Sequence, residues 1–281
     1  KGIMLLMAIC LSQLSHGLTI TYGTTVTLTS TILSENIIIE PYATLIIDGD
    51  IFMGDLVDDT EYYILIENHG RLVSTGGSIS GTYLLSGENR QWYGIIVEST
   101  DFASPSTTAA VDLDNFSIQH AFHGIEIPQY SSSLPGTADL INRKVLLERT
   151  TFDNNNNHIF MGTAGFLFGT EYGEFNQKNG INNINVVDCN LLGATANWPV
   201  WITNTRNVIV NSCLIDDDLG GANFGLHFNR TDNVTVSNCI FKRTGKRAIV
   251  FHGVSDYLKV LNCDFLANPT THPDGFPSDM A

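Results

Sequence analysis

Four side chains in the last quarter of the chain have the chemistry to move protons or to hold an acidic ligand: His227, His252, Arg230 and Asp217. Histidine titrates near neutral pH, and arginine can orient a carboxylate through two parallel hydrogen bonds. Asp217 belongs to the run Asp216-Asp-Asp218, which could supply the pair of carboxylates needed for acid–base work on a glycosidic bond. These four are the candidate catalytic residues.

Three further residues are candidates for binding a substrate: Trp201, Glu126 and Asn229. Trp201, with Trp198 close by, offers a flat aromatic face on which a sugar ring could stack. We predict no cofactor and no metal site, with one open alternative. Glu98 and Glu126 could share a calcium ion, because carboxylate oxygens are the ligands that calcium prefers.

A repeat between residues 183 and 265 indicates which elements position these side chains. Each copy holds one cysteine, and the cysteines at 189, 213, 239 and 263 are 24, 26 and 24 residues apart. The four copies read Asn183-Ile-Asn-Val-Val-Asp-Cys189-Asn-Leu191, Asn207-Val-Ile-Val-Asn-Ser-Cys213-Leu-Ile215, Asn233-Val-Thr-Val-Ser-Asn-Cys239-Ile-Phe241 and Tyr257-Leu-Lys-Val-Leu-Asn-Cys263-Asp-Phe265. A period of this size with variable insertions is typical of a solenoid whose repeats stack as coils.

The pattern within each copy predicts strands. Apolar and polar residues alternate over the first four positions, as in Val208/Val210 and Val234/Val236, and alternation indicates a strand with one buried face. The alternation then breaks before the cysteine, which predicts a corner and a second short strand. A coil of about 24 residues accommodates three strands and their corners, and no segment has the period of a helix. The fold predicted is an all-β, right-handed parallel β-helix of roughly ten coils.

A second strand series recurs between the cysteine copies. Its members are Ile95-Ile-Val97, Ile125-Glu-Ile127, Ile159-Phe-Met161, Val200-Trp-Ile202, Leu226-His-Phe228 and Ile249-Val-Phe251. Aligning them predicts two outward-facing columns. The first column contains Ile96, Glu126, Phe160, Trp201, His227 and Val250, and the second contains Glu98, Pro128, Gly162, Thr203, Asn229 and His252. Neighbouring strands would thus bring the candidate residues onto one surface.

The spacing within this series also locates insertions and corners. Excess residues fall at about 98–117, 128–144 and 162–183, where loops could build specificity. Glycines precede several strands, at Gly94, Gly124 and Gly225, and are interpreted as corners that need a positive φ.

The N-terminal half carries a weaker form of the same architecture. The segments that indicate it are Ile37-Ile-Ile-Glu-Pro-Tyr-Ala-Thr-Leu-Ile-Ile-Asp48, Ile64-Leu-Ile-Glu-Asn-His-Gly-Arg-Leu72, Gly77-Ser-Ile-Ser-Gly81 and Gln91-Trp-Tyr-Gly-Ile-Ile-Val97. Together they resemble the secreted right-handed β-helix repeat proteins of the pectate-lyase-like superfamily. The resemblance implies an architecture for nearly the whole chain and a site, if there is one, on the outer face of one parallel sheet. It implies little about activity, because that superfamily includes lyases, hydrolases, epimerases and adhesins.

Similarity to the polygalacturonases fails in detail. Asn204-Thr-Arg206, Asp216-Asp217 and Phe251-His-Gly253 occur in the order of that family's motifs. However, Arg206 replaces the first carboxylate, and Asp216 follows only ten residues later, too few to complete a coil. No Arg-Ile-Lys motif follows.

Composition narrows the partners. The chain has 281 residues, a formal net charge of −15 and only 15% charged residues. An acidic surface argues against nucleic acid and anionic membranes, and no segment is a membrane-span candidate. The partners predicted are a polysaccharide or cell-surface glycan and other domains of a longer chain.

The ends of the chain suggest export and truncation. Residues 1–17 resemble the remainder of a signal peptide, with one lysine, an apolar run and a small-residue end, so a single domain over 18–281 is expected, secreted or at the cell surface. The turn-rich C-terminal segment indicates that the β-helix continues beyond residue 281. The stacked cysteines are interpreted as buried free thiols, since in-register neighbours place their Cβ atoms too far apart for a relaxed disulfide.

Two functions remain open. In one, the protein is a non-catalytic glycan-binding, adhesion or scaffold β-helix; in the other, it is a polysaccharide lyase or glycoside hydrolase. A groove flanked by the insertions would favour the enzyme, and a flat solvated sheet would favour the scaffold.

Overall fold

The computed structural model describes the chain in thirteen segments, and the regular structure in them is β-strand. The segments are 17–54, 62–67, 69–81, 92–98, 109–127, 144–161, 182–195, 198–203, 205–217, 224–229, 231–244, 247–253 and 256–266. Arg230 and most of the expected insertions lie outside these described residues. No helix among them is long and apolar enough to cross a membrane.

One face of the molecule is a nine-stranded parallel sheet. In spatial order its strands are β1 (Leu18–Ile20), β4 (Ile37–Ile39), β6 (Tyr63–Ile66), β8 (Trp92–Val97), β11 (Ala121–Ile127), β14 (Asn157–Met161), β17 (Val200–Thr203), β20 (Phe224–Asn229) and β23 (Arg247–His252). Each strand pairs with the cognate strand of the next coil, which is the connectivity of a solenoid.

The other faces belong to one bent sheet of sixteen strands. Its first arm contains β2 (Thr25–Leu28), β5 (Thr44–Met53), β7 (Arg71–Gly81), β9 (Ala109–Asp114), β12 (Lys144–Glu148), β15 (Asn182–Val187), β18 (Arg206–Asn211), β21 (Asp232–Ser237) and β24 (Leu258–Leu261). Its second arm contains β3 (Thr31–Leu33), β10 (Phe116–Gln119), β13 (Thr151–Asp153), β16 (Asn190–Leu192), β19 (Leu214–Asp216), β22 (Ile240–Lys242) and β25 (Asp264–Leu266). The long strands β5 and β7 run through both arms.

The register confirms the repeat. Ile184, Val208, Val234 and Leu258 pair in turn on the first arm, and Leu191, Ile215, Phe241 and Phe265 pair in turn on the second. Inward side chains of all three faces form one continuous apolar core along the axis. The nine rows of strands in the described residues agree with the all-β solenoid predicted from the repeat.

Left-handed residues form the corners between the two arms. Asp188, Ser212, Asn238 and Asn262 have φ between 51° and 56°, and each immediately precedes a stacked cysteine. Near the starts of β18 and β21, the side-chain amide of Asn233 donates to Oδ1 of Asn207 at 2.8 Å. Such residues tolerate positive φ, and their side-chain amides link one coil to the next.

The cysteine prediction is confirmed. Cys189, Cys213 and Cys239 are buried free thiols, and Cys263 is partly buried and also free. Their sulfurs donate to backbone carbonyls, as from Cys213 to Asn211 at 3.2 Å. The stack therefore acts as small apolar side chains that also satisfy the corner carbonyls.

Two details of the sequence interpretation were wrong. Among the three glycines expected at positive φ, Gly94 has it at 128°, whereas Gly124 and Gly225 do not. Those two glycines are needed for close approach, since an added Cβ would lie 2.6 Å from the carbonyl oxygen of His158 at Gly124 and 2.4 Å from that of Ala248 at Gly225. The expected insertion at 98–117 was also too long, because β9 and the start of β10 occupy its second half.

Candidate functional site

The outer face of the nine-stranded sheet carries the candidate residues in the predicted register. Ile96, Glu126, Phe160, Trp201, His227 and Val250 pair successively across the strands from β8 to β23. These six residues are hereafter the first column. Their neighbours along each strand, such as Ile202 and Phe228, point into the core, so alternation alone fixes which side chains face outward.

Aromatic rings gather around Trp201. The Trp201 ring centre lies 4.6 Å from that of Trp198 and 4.3 Å from that of His227, both edge-on. The ring of His252 on the next strand is 6.3 Å from that of His227. The structure thus brings Trp201, His227 and His252 together, as the aligned columns predicted; we call them, with Trp198, the tryptophan–histidine cluster.

His227 is held in its neutral form. It is 8% exposed, and burial, helped by the charge that His252 can carry, lowers the pKa of His227 to about 4. Neither of its ring nitrogens has a hydrogen-bond partner in the described part of the chain. At neutral pH the ring can therefore donate from one nitrogen and accept at the other.

The second column is shown for its last three members. Thr203, Asn229 and His252 pair across β17, β20 and β23. Asn229 is half-buried, and its Oδ1 is enclosed without a hydrogen-bond partner among the described residues. Pro128 and Gly162 lie outside those residues.

A second group of side chains lies at the other end of the first column. The His123 Nε2 and Glu126 Oε2 atoms are 4.0 Å apart, and both side chains are almost fully buried. The His123 ring stacks on Phe160 at 4.5 Å between centres and is hydrogen-bonded to the Asn157 side chain. Tyr93 is hydrogen-bonded to Glu126. We call these five residues the histidine–glutamate cluster.

Burial shifts the pKa of both ionisable groups of this cluster toward the neutral form. It lowers the pKa of His123 to about 4, against the opposing effect of the Asn157 hydrogen bond. It raises the pKa of Glu126, against the opposing effect of the Tyr93 hydrogen bond. A protonatable carboxyl and a neutral imidazole thus lie 4.0 Å apart, which is a pairing capable of acid–base chemistry.

The two clusters are adjacent but do not share a reaction centre. Glu126 and His227 are separated by Phe160 and Trp201 in the first column, that is, by three strand spacings or about 14 Å. Asn157 links them, since its amide donates to the Trp198 carbonyl at 2.6 Å. Polar ends joined by an aromatic middle are suited to binding one extended molecule.

Comparison with known proteins matches residues 93–272, well over half of the chain, to the model of the right-handed beta helix region. The chain belongs to the right-handed β-helix family. Comparison with curated proteins finds no match. Among solved structures, this β-helix is similar to the crystal structure of a putative glycosyl hydrolase from Parabacteroides merdae ATCC 43184, at 12% identity over 86% of this chain and 85% of that one. Its TM-score of 0.30 carries no argument about function.

One predicted residue of this β-helix, Asp217, stands apart from the two clusters. Asp217 follows β19, on the second arm of the sixteen-stranded sheet, and its amide donates to the Lys242 carbonyl at 3.3 Å. The neighbouring Asp216 accepts a hydrogen bond from Arg243 Nε at 2.7 Å, so its charge is already paired. Arg230 lies outside the described residues, and its role remains a prediction.

Metal ligands are sparse in the described residues of the β-helix. They contain no group of three or more His, Cys, Asp or Glu side chains that could hold an ion. Glu98 follows β8, two residues beyond the strand partner of Glu126, and calcium between them remains a prediction.

His123, Tyr93 and Asn157 were missed in the sequence because of a β-bulge. His123 pairs with Gly94, yet Ile125 pairs with Ile95, so β11 carries one extra residue at Gly124. Counting back from Glu126 by strict alternation places His123 inside, whereas the bulge turns it outward. Gly94 was the signal that the sequence offered, because the backbone of His123 passes very close to it. A Cβ on Gly94 would lie 1.6 Å from the His123 carbonyl oxygen.

Proposed function

We propose that this β-helix protein binds a carbohydrate chain, without cleaving it, along the outer face of its nine-stranded sheet. The observation that carries the proposal is the aromatic middle of the first column, where Phe160, Trp201 and His227 occupy consecutive strands and Trp198 packs on Trp201.

The chemistry of this surface suits sugar rings. A sugar ring has an apolar face that stacks on an aromatic ring and hydroxyl groups that need hydrogen-bond partners at its edge. Phe160, Trp198 and Trp201 are all half-buried, so part of each ring is exposed. Asn229 and His227 offer polar atoms without partners among the described residues. The row of strands, spaced about 4.8 Å apart, repeats this mixture along the axis, as a polymeric ligand requires.

Binding to a polysaccharide or cell-surface glycan also agrees with the proposed location of the protein. We propose that residues 1–17 direct export and that the chain acts outside the cell or on its surface, beside other domains of a longer chain. Sequencing the N-terminus of the exported protein tests this, with cleavage after Gly17 as the expected result.

The binding proposal is tested by affinity electrophoresis on a panel of plant, algal and animal polysaccharides, followed by tryptophan fluorescence titration with any that retard the protein. Trp201→Ala is expected to weaken binding about tenfold, since the loss of roughly 1.4 kcal/mol of stacking and apolar contact changes a dissociation constant by that factor. Ile209→Ala is the matched control, because Ile209 is 41% exposed on the outer face of the sixteen-stranded sheet.

The two variants separate specific binding from general adhesion. Equal loss in both variants, or no retention on any polysaccharide, would contradict binding at the tryptophan–histidine cluster. Retention lost only in Trp201→Ala supports it.

A second candidate function is cleavage of the bound chain, and the histidine–glutamate cluster is the observation that favours it. Glu126 and His123 could serve as acid and base because burial keeps the carboxyl protonatable and the imidazole neutral. The assay follows release of reducing ends and ultraviolet absorbance of unsaturated uronate ends, with and without calcium. Turnover that is lost in Glu126→Gln while glycan retention is kept would establish the enzyme. Retention without turnover leaves the non-catalytic function in place.

A further inference from the structure

The outer surface of β20 and β23 places two imidazoles beside an amide. His227 and Asn229 are two residues apart on β20, with Phe228 between them buried in the core, so both point outward. His252 on β23 is the strand partner of Asn229. The rings of His227 and His252 are 6.3 Å apart between centres and nearly perpendicular, at 87°.

This small surface contains polar atoms whose bonding needs are unmet. His227 is 92% buried, yet neither Nδ1 nor Nε2 has a hydrogen-bond partner in the described part of the chain. The Asn229 Oδ1 is likewise enclosed and unpartnered there. Burying such atoms without partners is unfavourable, so their presence points to a ligand that they share.

We propose that His227, His252 and Asn229 form a binding site for a divalent transition-metal ion of the Zn²⁺ or Ni²⁺ type. Neutral imidazole nitrogen is a preferred ligand of these ions, and an amide oxygen can add a third contact. The protein supplies two imidazoles and one amide to this site, so a water molecule or another ligand would complete the coordination.

The two rings lie near the spacing that a shared ion requires. With a metal–nitrogen distance of about 2.1 Å, the centre of a bound imidazole is roughly 3.3 Å from the metal, so two such centres at a tetrahedral angle lie about 5 Å apart. The observed centres are 6.3 Å apart, so binding of an ion requires the exposed His252 ring to move about 1 Å toward His227. Calcium does not suit this site, because it prefers a cage of oxygen ligands.

The packing of His227 also favours metal binding. Trp201 packs edge-on against the His227 ring at 4.3 Å between centres, which holds the imidazole in place and restricts its rotation.

Tryptophan emission provides the readout. The Trp201 and Trp198 rings lie 4.3 Å and 5.8 Å from the His227 ring. Trp92, in contrast, is buried, donates to the Gln119 carbonyl and lies on β8, four strands away from β20 in the sheet. The titration uses the full chain, without an affinity tag, and Ni²⁺, a paramagnetic quencher that leaves thiols unoxidised. Saturable quenching with one ion per chain, reversed by excess Zn²⁺, is expected.

The variant His252→Ala decides the assignment. His252 is exposed, so its removal should preserve the fold, and loss of one of two imidazole ligands is expected to weaken Ni²⁺ binding by at least about tenfold. His69→Ala is the control, because His69 stacks on Tyr42 at a distant corner. Absence of saturable quenching, or quenching of equal affinity in His252→Ala, would overturn the proposal. The titration contains no carbohydrate, so its outcome is independent of glycan binding.

Discussion

Burial keeps several ionisable side chains of this β-helix neutral. It lowers the pKa of His158, which lies in the interior beside Asn155, to about 3, and it lowers the pKa of His123 and His227 to about 4. It raises the pKa of Glu126. Folding therefore opposes protonation of the three histidines and ionisation of the carboxyl.

We expect these three buried histidines to make the protein less stable in acid. Since their folded pKa values lie below the unfolded value of about 6.5, their contribution is complete above that pH and is lost as pH falls toward 3 to 4. The free energy of unfolding, measured with urea, should fall steeply as the pH is lowered from 6 to 4.5, and each histidine contributes about 1.4 kcal/mol per pH unit to that slope. Replacing one of them, as in His158→Gln or His123→Gln, should reduce the slope by about that amount, which corresponds to one proton.

A core variant that does not titrate provides the control. Phe152 packs near His158, with 5.8 Å between ring centres, so Phe152→Leu should lower the free energy of unfolding at every pH and leave the slope intact. An unchanged slope in both histidine variants would contradict the assignment of acid sensitivity to these rings.

Glu126 acts in the opposite direction. A raised folded pKa means that ionisation above that pH costs stability, so Glu126→Gln should raise the free energy of unfolding at pH 7 and have little effect at pH 4. Urea unfolding at the two pH values measures this. Equal stabilisation at both would indicate a packing effect instead.

At the level of elements, the strands could be predicted and the irregularities could not. Alternation in Leu226-His-Phe228 and its cognates defined the register of the first column, because strand periodicity depends only on residue type. The bulge at Gly124 depends on how β11 crosses β8 and β14, which alternation does not encode. His123 and its partners were missed for that reason.

Glycines predict where coils cannot tolerate a side chain. Gly94→Ala should destabilise the protein severely, since φ is 128° and the new methyl group would overlap the His123 carbonyl oxygen. Gly76→Ala is the matched control, because the nearest atom is 3.9 Å from an added Cβ. Thermal unfolding of both variants checks this, and comparable midpoints would contradict the close approach seen at Gly94.

At the scale of the whole molecule, the described strands form a stack in which each strand pairs with the cognate strands of the neighbouring coils. Stability in such a solenoid is a sum of coil and interface contributions, so different parts can open separately. The coil that contains β24 and β25 is less covered than the middle of the stack. Val260, for example, is 42% exposed, whereas its register partner Val236 is buried.

Hydrogen exchange of the 281-residue chain should therefore be graded along the axis. Amides of β24 and β25 are expected to exchange well before those of β15 and β18, which have a paired strand on both sides. Mass spectrometry of peptides from the two regions measures the difference. Simultaneous exchange of all coils would show that the stack opens as one cooperative unit.

The alternation of inward and outward positions along the strands affects how such a protein can evolve. A mutation in the first column changes the ligand surface and leaves the core untouched, so natural selection can act on binding without first restoring the fold. Duplication of a segment of one coil length would add one row to the same surface in the existing register. Related β-helices should accordingly diverge faster at Phe160, Trp201 and His227 than at Ile159, Ile202 and Phe228.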